Sequence, residues 1–185
     1  MQSSTVFTLP GWLGSNAAHW QSRWETTFGD VRVAQHDWEH PLRGDWITRL
    51  EDAVQDQLKH HPHQRILFAA HSLGCHLVAA WAALSPSVQH VAGALLVAPP
   101  DLLQPHFPPQ LHSWNKPVLQ TLPFKSTLVA STSDPFCDFT VAAHLAQRWG
   151  STLVDAGSIG HINAESGLGD WPAGRALLVQ LTKLD

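Results

Sequence analysis

The sequence contains no tyrosine and two cysteines, carries no cluster of lysine and arginine, and has no apolar run long enough to span a bilayer. Each shortage excludes something. Cys75 and Cys137 are too few for a disulfide framework and match no zinc-binding spacing, so both read as reduced, half-buried thiols. A formal net charge of −4 without a basic stripe argues against nucleic acid or an anionic membrane as a partner, and a small molecule is the expected ligand. The N-terminal stretch MQSSTVFTLP lacks both a cationic region and an apolar core of signal-peptide type, which makes a soluble, cytoplasmic location the default. No internal repeat is visible. Against the missing tyrosine stand nine tryptophans, several of which, Trp81 and Trp149 among them, are expected to pack in the core.

With 185 residues, 44% of them hydrophobic, and no shift in composition or linker, residues 1–185 are expected to form one domain with a sizeable core. Short apolar runs alternate with helical periodicities, the pattern of an α/β protein with a parallel sheet and helices on both faces. Strand candidates are Val6–Leu9, Val31–Ala34, Ile66–Ala70, Ala92–Val97, Thr127–Ser131 and Thr152–Val154. Helical spacing covers Ala17–Phe28, Trp46–His60, Leu73–Leu84, Thr140–Trp149 and Ala173–Leu184. Gly29 and Gly150 are placed as C-caps, and Pro86 follows a helix end.

One connection breaks this rhythm. Pro99–Lys125 is rich in proline and has no sustained helical period, so it reads either as a lid or binding loop or as a rigid surface crossover. As a lid it would bring Phe107 and Trp114 to a bound substrate.

The segment RILFAAHSLGCHLVAAW carries the chemistry: a buried-strand run breaks at Ser72 and restarts as a helix. That arrangement reads as a nucleophile elbow, in which a serine on a strained turn projects from the end of a parallel strand. Backbone segments nearly touch two positions either side, so small residues are needed there, and Ala70 and Gly74 supply them. The pattern is A-x-S-x-G where G-x-S-x-G is usual, and a plain strand-to-helix turn or cap is the competing reading of Ser72.

A serine hydroxyl needs a base to take its proton and an acid to orient that base. In enzymes with this elbow the partners follow in the order Ser, Asp or Glu, His, each in a loop after a strand. Asp134, in TSDPFCD after a strand run, fits the acid, since Pro135 keeps it out of a helix interior. His161, in AGSIGHINAESG, fits the base, and Gly157 and Gly160 let its loop turn back towards the serine. Asp101 is a second candidate for the acid, and Asp138 is less well placed. His71 either packs beneath the turn or lines the pocket. His60, His61 and His63 read as a polar helix-end loop, not a metal site. Cys75 follows the elbow and Cys137 follows Asp134, so the two thiols could approach one another near the site.

Developing negative charge on an acyl oxygen requires backbone donors. The Leu73 N–H, first amide of the elbow helix, is one. The Trp12 N–H is the candidate for the second, because LPGWLGSNAAHW is a turn bearing Gly11 and Gly14 that runs directly into a helix, with Ser15 or Asn16 as a possible N-cap.

These pieces, LPGWLGSNAAHWQSRWE, AAHSLGCHLVAAWA, VAPPDL, STSDPFC and GSIGHINAESGLGDWP, together resemble the small serine hydrolase family of α/β-hydrolases, of the retinoblastoma-binding protein nine and YdeN type. The resemblance spans nearly the whole chain. It implies Ser72, Asp134 and His161 as the triad. It also implies a trimmed α/β-hydrolase fold of about six parallel strands, order 2-1-3-4-5-6, with no large cap domain. A pocket-based role in partner recognition is associated with one branch of the family, and nothing in this sequence carries it over.

The expected function is therefore a carboxylesterase-like serine hydrolase acting on a small acyl ester through an acyl-enzyme, with no cofactor and no metal. Trp12, Leu13, Trp20, Phe107, Trp114 and Phe136 are candidate apolar walls of the pocket. An amidase or peptidase using the same residues, and a binding protein that keeps the fold with little catalysis, are the alternatives.

Overall fold

The computed structural model describes residues 4–182. Six parallel strands form one sheet in the order β2-β1-β3-β4-β5-β6. The strands are β1 Ser4–Leu9, β2 Val31–Arg32, β3 Arg65–His71, β4 Val91–Val97, β5 Ser126–Ala130 and β6 Thr152–Asp155. The helices are α1 Trp20–Phe28, α2 Arg43–His60, α3 Leu73–Ala82, α4 Phe139–Trp149 and α5 Pro172–Gln180. The strand order is the one that the resemblance implies, and among the described residues no cap domain is inserted.

Because side chains alternate across a strand, a strand covered on both faces must be apolar throughout. Strand β3 shows this. Ile66, Phe68 and Ala70 point into a cluster built with Trp46, Leu50 and Val54 of α2, Leu77 and Trp81 of α3, and Leu145 and Trp149 of α4. Leu67 and Ala69 point the other way, towards Trp20 and Trp24 of α1 and Leu178 of α5. Helix α3 is the most enclosed of the five, with every residue from Leu73 to Trp81 buried, as expected for a helix that is apolar all round.

The tryptophans explain how so many loops are held. Trp20, Trp24, Trp46, Trp81, Trp114 and Trp149 are all fully buried. A buried indole must place its N–H, which can only donate. Here the indole N–H groups go to the carbonyls of Ile162, Asp170, Asp37, Pro41 and Val118, and that of Trp81 to the Glu51 carboxylate. Each side chain fills the core and fastens a separate segment to it.

Element boundaries shift where tertiary contacts supply what local sequence does not. Helix α1 begins at Trp20, because the Asn16 side chain accepts from the Ala18 amide in a local turn and His19 Nδ1 is the cap, accepting from the Gln21 N–H. Neither Ser15 nor Asn16 caps it. Helix α2 starts earlier than its periodicity suggests: its cap residue Leu42 offers no side-chain acceptor, and the Arg43 N–H is satisfied at 3.0 Å by Ser113 Oγ, 70 residues away. Edge strand β2 is shorter than read, and the part of the last helical reading beyond residue 182 lies outside the described residues. Gly29 and Gly150 are left-handed C-caps as expected.

The proline-rich connection packs as a fixed crossover through its middle. It forms a short 3-10 turn, Pro109–Trp114, and Ser113 and Trp114 both donate to the Pro41 carbonyl, while Arg43 donates to the carbonyl of Lys116. Trp114 is 1% exposed, edge-on to Trp46 in the core. It is a packing residue, not a substrate contact.

Candidate active site

Strand β3 ends at His71, and the next residue takes φ 54°, ψ −124° before α3 begins. That conformation is costly for serine, on the order of 1–3 kcal/mol, and persists only when the surroundings impose it. They do so by close packing. A β-carbon on Gly74 would overlap the Leu9 carbonyl oxygen, so only glycine lets α3 press against the end of β1. Ser72 N–H is bonded to Val97 O at 2.8 Å, which ties the turn to β4. Leu13, Ala98 and Ile162 also hold positive φ, so strained residues gather around the carboxyl ends of the strands.

His161 stands between Ser72 and Asp134. Its Nε2 is 3.0 Å from Ser72 Oγ, and its Nδ1 is 3.0 and 2.9 Å from the two Asp134 carboxylate oxygens. A carboxylate only accepts, so Nδ1 carries the hydrogen and Nε2 is free to accept from the serine hydroxyl. The Asp134 side chain is 3% exposed and that of His161 10%, so both are screened from bulk water, which strengthens a charge-assisted bond. Asp134 is aimed by its own turn, with the Phe136 N–H donating to Oδ1 at 2.9 Å. Asp101, the other candidate acid, is engaged elsewhere, accepting from the Leu103 N–H. Asp138 caps α4.

Serine side chains join the two loops that carry acid and base. Ser131 Oγ accepts from the Ile159 N–H and Ser133 Oγ from the Gly160 N–H, both at 3.0 Å, and the Thr132 N–H donates to Gly157 O. Sequence reasoning did not single out these serines. Their only signal is their position in a turn flanked by strand and helix.

The proposed oxyanion donors sit on the expected turns. Gly14 N–H closes on Gly11 O at 3.0 Å, with Leu13 in the left-handed region and its amide bonded to the Trp38 carbonyl. Neither the Trp12 nor the Leu73 amide has an acceptor among the described residues. The Trp12 ring packs against the core and donates its Nε1–H to Glu39 O at 2.9 Å.

The pocket candidates separate clearly. Phe136, 48% exposed, lies with its ring centroid 4.7 Å from that of His161, and Leu13, beside Trp12, is 63% exposed. Phe107 is half-buried against the core, and Trp114 and Trp20 are inside it. His71 packs beneath the turn: it is buried, edge-on to His161 at 4.8 Å, and burial followed by the neighbouring imidazoles of His19 and His161 holds it well below the usual histidine range. The thiols are buried and free. Burial pushes Cys75 far above the normal thiol range, and burial together with Asp134, Asp101 and Asp138 pushes Cys137 up to about 12. Neither is a nucleophile at neutral pH. Among the described residues no three His, Cys, Asp or Glu side chains are placed to hold a metal, and no helix is long and apolar enough to cross a membrane.

Known proteins show the same arrangement of chain. The serine hydrolase family profile matches residues 6–180. A YdeN-like hydrolase from Pectobacterium atrosepticum is 29% identical, with TM-score 0.83 over 97% of this chain and 91% of that one. The ydeN gene product of B. subtilis aligns at TM-score 0.70 and 18% identity, covering 97% of this chain and 98% of its own. Est1E from Butyrivibrio proteoclasticus, in its structure with ferulic acid bound, aligns at TM-score 0.69 and 16% identity over 98% of this chain and 91% of its own. No curated protein matches the chain. A parallel sheet in the order 2-1-3-4-5-6, a serine on a strained strand-to-helix turn, and a profile match over nearly every residue agree on one assignment: the chain belongs to the serine hydrolase family, on an α/β-hydrolase fold.

Proposed function

We propose that the protein is an esterase-like acyl hydrolase that cleaves a small ester through Ser72, His161 and Asp134. The observation that carries this reading is the continuous line of hydrogen bonds from Ser72 Oγ through His161 to the Asp134 carboxylate. Ser72 Oγ attacks the acyl carbon as its proton passes to His161 Nε2. The resulting oxyanion is met by the Trp12 and Leu73 N–H groups, each such donor being worth about 3–4 kcal/mol at the transition state. His161 then gives its proton to the departing alkoxide and leaves Ser72 acylated. Water, deprotonated by the same imidazole, attacks the acyl carbon, and collapse of the second tetrahedral intermediate releases the acid and restores the Ser72 hydroxyl. Asp134 holds the ring in one tautomer and stabilises the imidazolium formed in each half-reaction. No cofactor takes part.

Apolar side chains stand next to the proposed donor turn and to the base, Leu13 following Trp12 in the chain and Phe136 edge-on to His161. Leu13 and Phe136 present apolar surface to solvent, which suits a short acyl or aryl group reached from outside. Similar folds carry ligands of that kind: Est1E has been solved with ferulic acid, and an esterase from Thermogutta terrifontis with butyrate.

Fluorophosphonate labelling tests the reading, combined with hydrolysis of short-chain p-nitrophenyl esters. The wild type should be labelled and active, with both signals lost in Ser72→Ala and His161→Ala. Labelling that persists in Ser72→Ala, or a wild type that hydrolyses no ester above the Ser72→Ala background, overturns it.

A further inference from the structure

Two consecutive carbonyls of the loop that carries His161 are each met by a buried ring N–H. His71 Nε2 lies 2.9 Å from the His161 carbonyl oxygen, and Trp20 Nε1 lies 2.9 Å from that of Ile162. A carbonyl only accepts, so His71 carries its hydrogen on Nε2. The donors come from different elements, His71 from the end of β3 and Trp20 from the start of α1, and their rings meet edge-on at 6.2 Å. Between the two bonds the chain turns sharply, with Ile162 at φ 50°, a backbone state that a β-branched residue rarely adopts.

We propose that His71 and Trp20 are positioning residues for the hydrolysis: together they clamp the His161 loop so that its imidazole stays at reacting distance from Ser72. The proposal rests on the reading of Ser72 and His161 as nucleophile and base. Its physical reason lies in how the two groups are mounted. Ser72 is fixed by the strand it terminates. His161 sits instead on a loop with glycines in the left-handed region at 157 and 160, and such a loop needs an external reference. His71 provides one on the serine's own strand, because it is the residue before the nucleophile and it grips the backbone of the base.

The chemistry also accounts for imidazole as the donor. His161 becomes cationic in each half-reaction, and a lysine or arginine in place of His71 would set a permanent positive charge against it. The titratable groups facing His71 are His19, from the segment before α1, and His161 itself. Burial keeps His71 uncharged, so it offers a donor without a charge. Trp20 meets the same requirement, since an indole N–H is a neutral donor.

The test is steady-state kinetics on a p-nitrophenyl ester with His71→Phe, His71→Gln and Trp20→Phe, alongside wild type and Ser72→Ala. His71→Phe and Trp20→Phe each remove one donor and should lower kcat on the order of 10²-fold, as misplacement of a catalytic group by about 1 Å does, with KM unchanged. His71→Gln keeps an N–H donor and should recover most of that loss. A merely structural role would give variants of lower melting temperature whose folded fraction turns over at the wild-type kcat, and that result overturns the proposal. Should His71→Phe fail to fold, Trp20→Phe decides by the same criterion. Absence of any Ser72-dependent activity in the wild type would defeat the functional reading itself, a result distinct from an active wild type matched by both clamp variants.

Discussion

Gly11 lies so close to Ser72 that a β-carbon at position 11 would stand 2.6 Å from the serine Cβ and 3.1 Å from its Oγ. The turn bearing the candidate oxyanion donor Trp12 is thus built against the nucleophile itself. Gly11→Ala must push one away from the other. We expect kcat for ester hydrolysis to fall on the order of 10²-fold while the protein remains folded by circular dichroism. Wild-type turnover in Gly11→Ala would mean that the donor turn is not part of the reaction.

The two candidate acids differ in what they touch, and kinetics should separate them. Asp134→Asn removes the carboxylate bonded to His161 Nδ1 and should lower kcat by about 10⁴-fold, the loss typical when an orienting carboxylate becomes an amide. Asp101→Asn changes only a local turn and should stay within a few-fold of wild type. The reverse ranking would reassign the acid.

Phe136 sets its ring edge-on to His161 with nearly half its surface in solvent. In Phe136→Ala the backbone amide still holds Asp134, so the triad is retained while apolar wall is lost. KM for a butyrate or aryl ester should rise several-fold, with kcat changing less. An unchanged KM would remove Phe136 from the substrate site.

Buried imidazoles should make the fold acid-sensitive. Burial, then Arg32 and His161, lowers His19 to about 4, and burial lowers His76 to about 4 against the opposing effects of its Pro100 bond and Asp101. Their unfolded value is near 6.5, so between pH 6.5 and 4 the unfolded chain binds more protons than the folded one, and stability falls as pH falls. Each group should cost roughly 2 kcal/mol by pH 5. Thermal melting from pH 7.5 to 4.5 checks this: the midpoint should drop steadily below pH 6.5, with a shallower slope in His76→Gln. A flat profile would contradict it.

Glu51 gathers Trp81 Nε1, Ser85 Oγ, Ser87 Oγ and Gln55 Nε2 at 2.6–3.0 Å, fastening α2 to α3 and the turn after it. Burial opposes its ionised form, yet the bonds from Ser85, Gln55, Trp81 and Ser87 outweigh burial and hold the carboxyl below its ordinary value. Glu51→Ala leaves the buried Trp81 N–H unpaired and should cost about 1–3 kcal/mol in urea unfolding, with no direct effect on kcat.

Much of this protein was legible in its sequence because the relevant signals are local. The apolar runs mark strands covered on both faces, the switch of period at Ser72 marks the elbow, and Gly29 and Gly150 mark helix ends. Asp134 and His161 were legible from chain order and their post-strand loops. What the sequence alone determined was the menu of elements and of reactive groups, since propensity, periodicity and turn chemistry act over a few residues.

Only the tertiary structure decided among the alternatives. Chain order favoured Asp134 over Asp101, but the contact of the Asp134 carboxylate with His161 Nδ1, across 27 residues, exists only in the folded chain. The placements of Trp20, Trp114 and His71 turned on where a ring N–H finds a carbonyl, at separations of 142, 73 and 90 residues. Nothing in the local pattern marks such a partner. A buried donor takes whichever acceptor the folded chain brings within about 3 Å, and that distance is set only when the sheet, its helices and its loops have packed together.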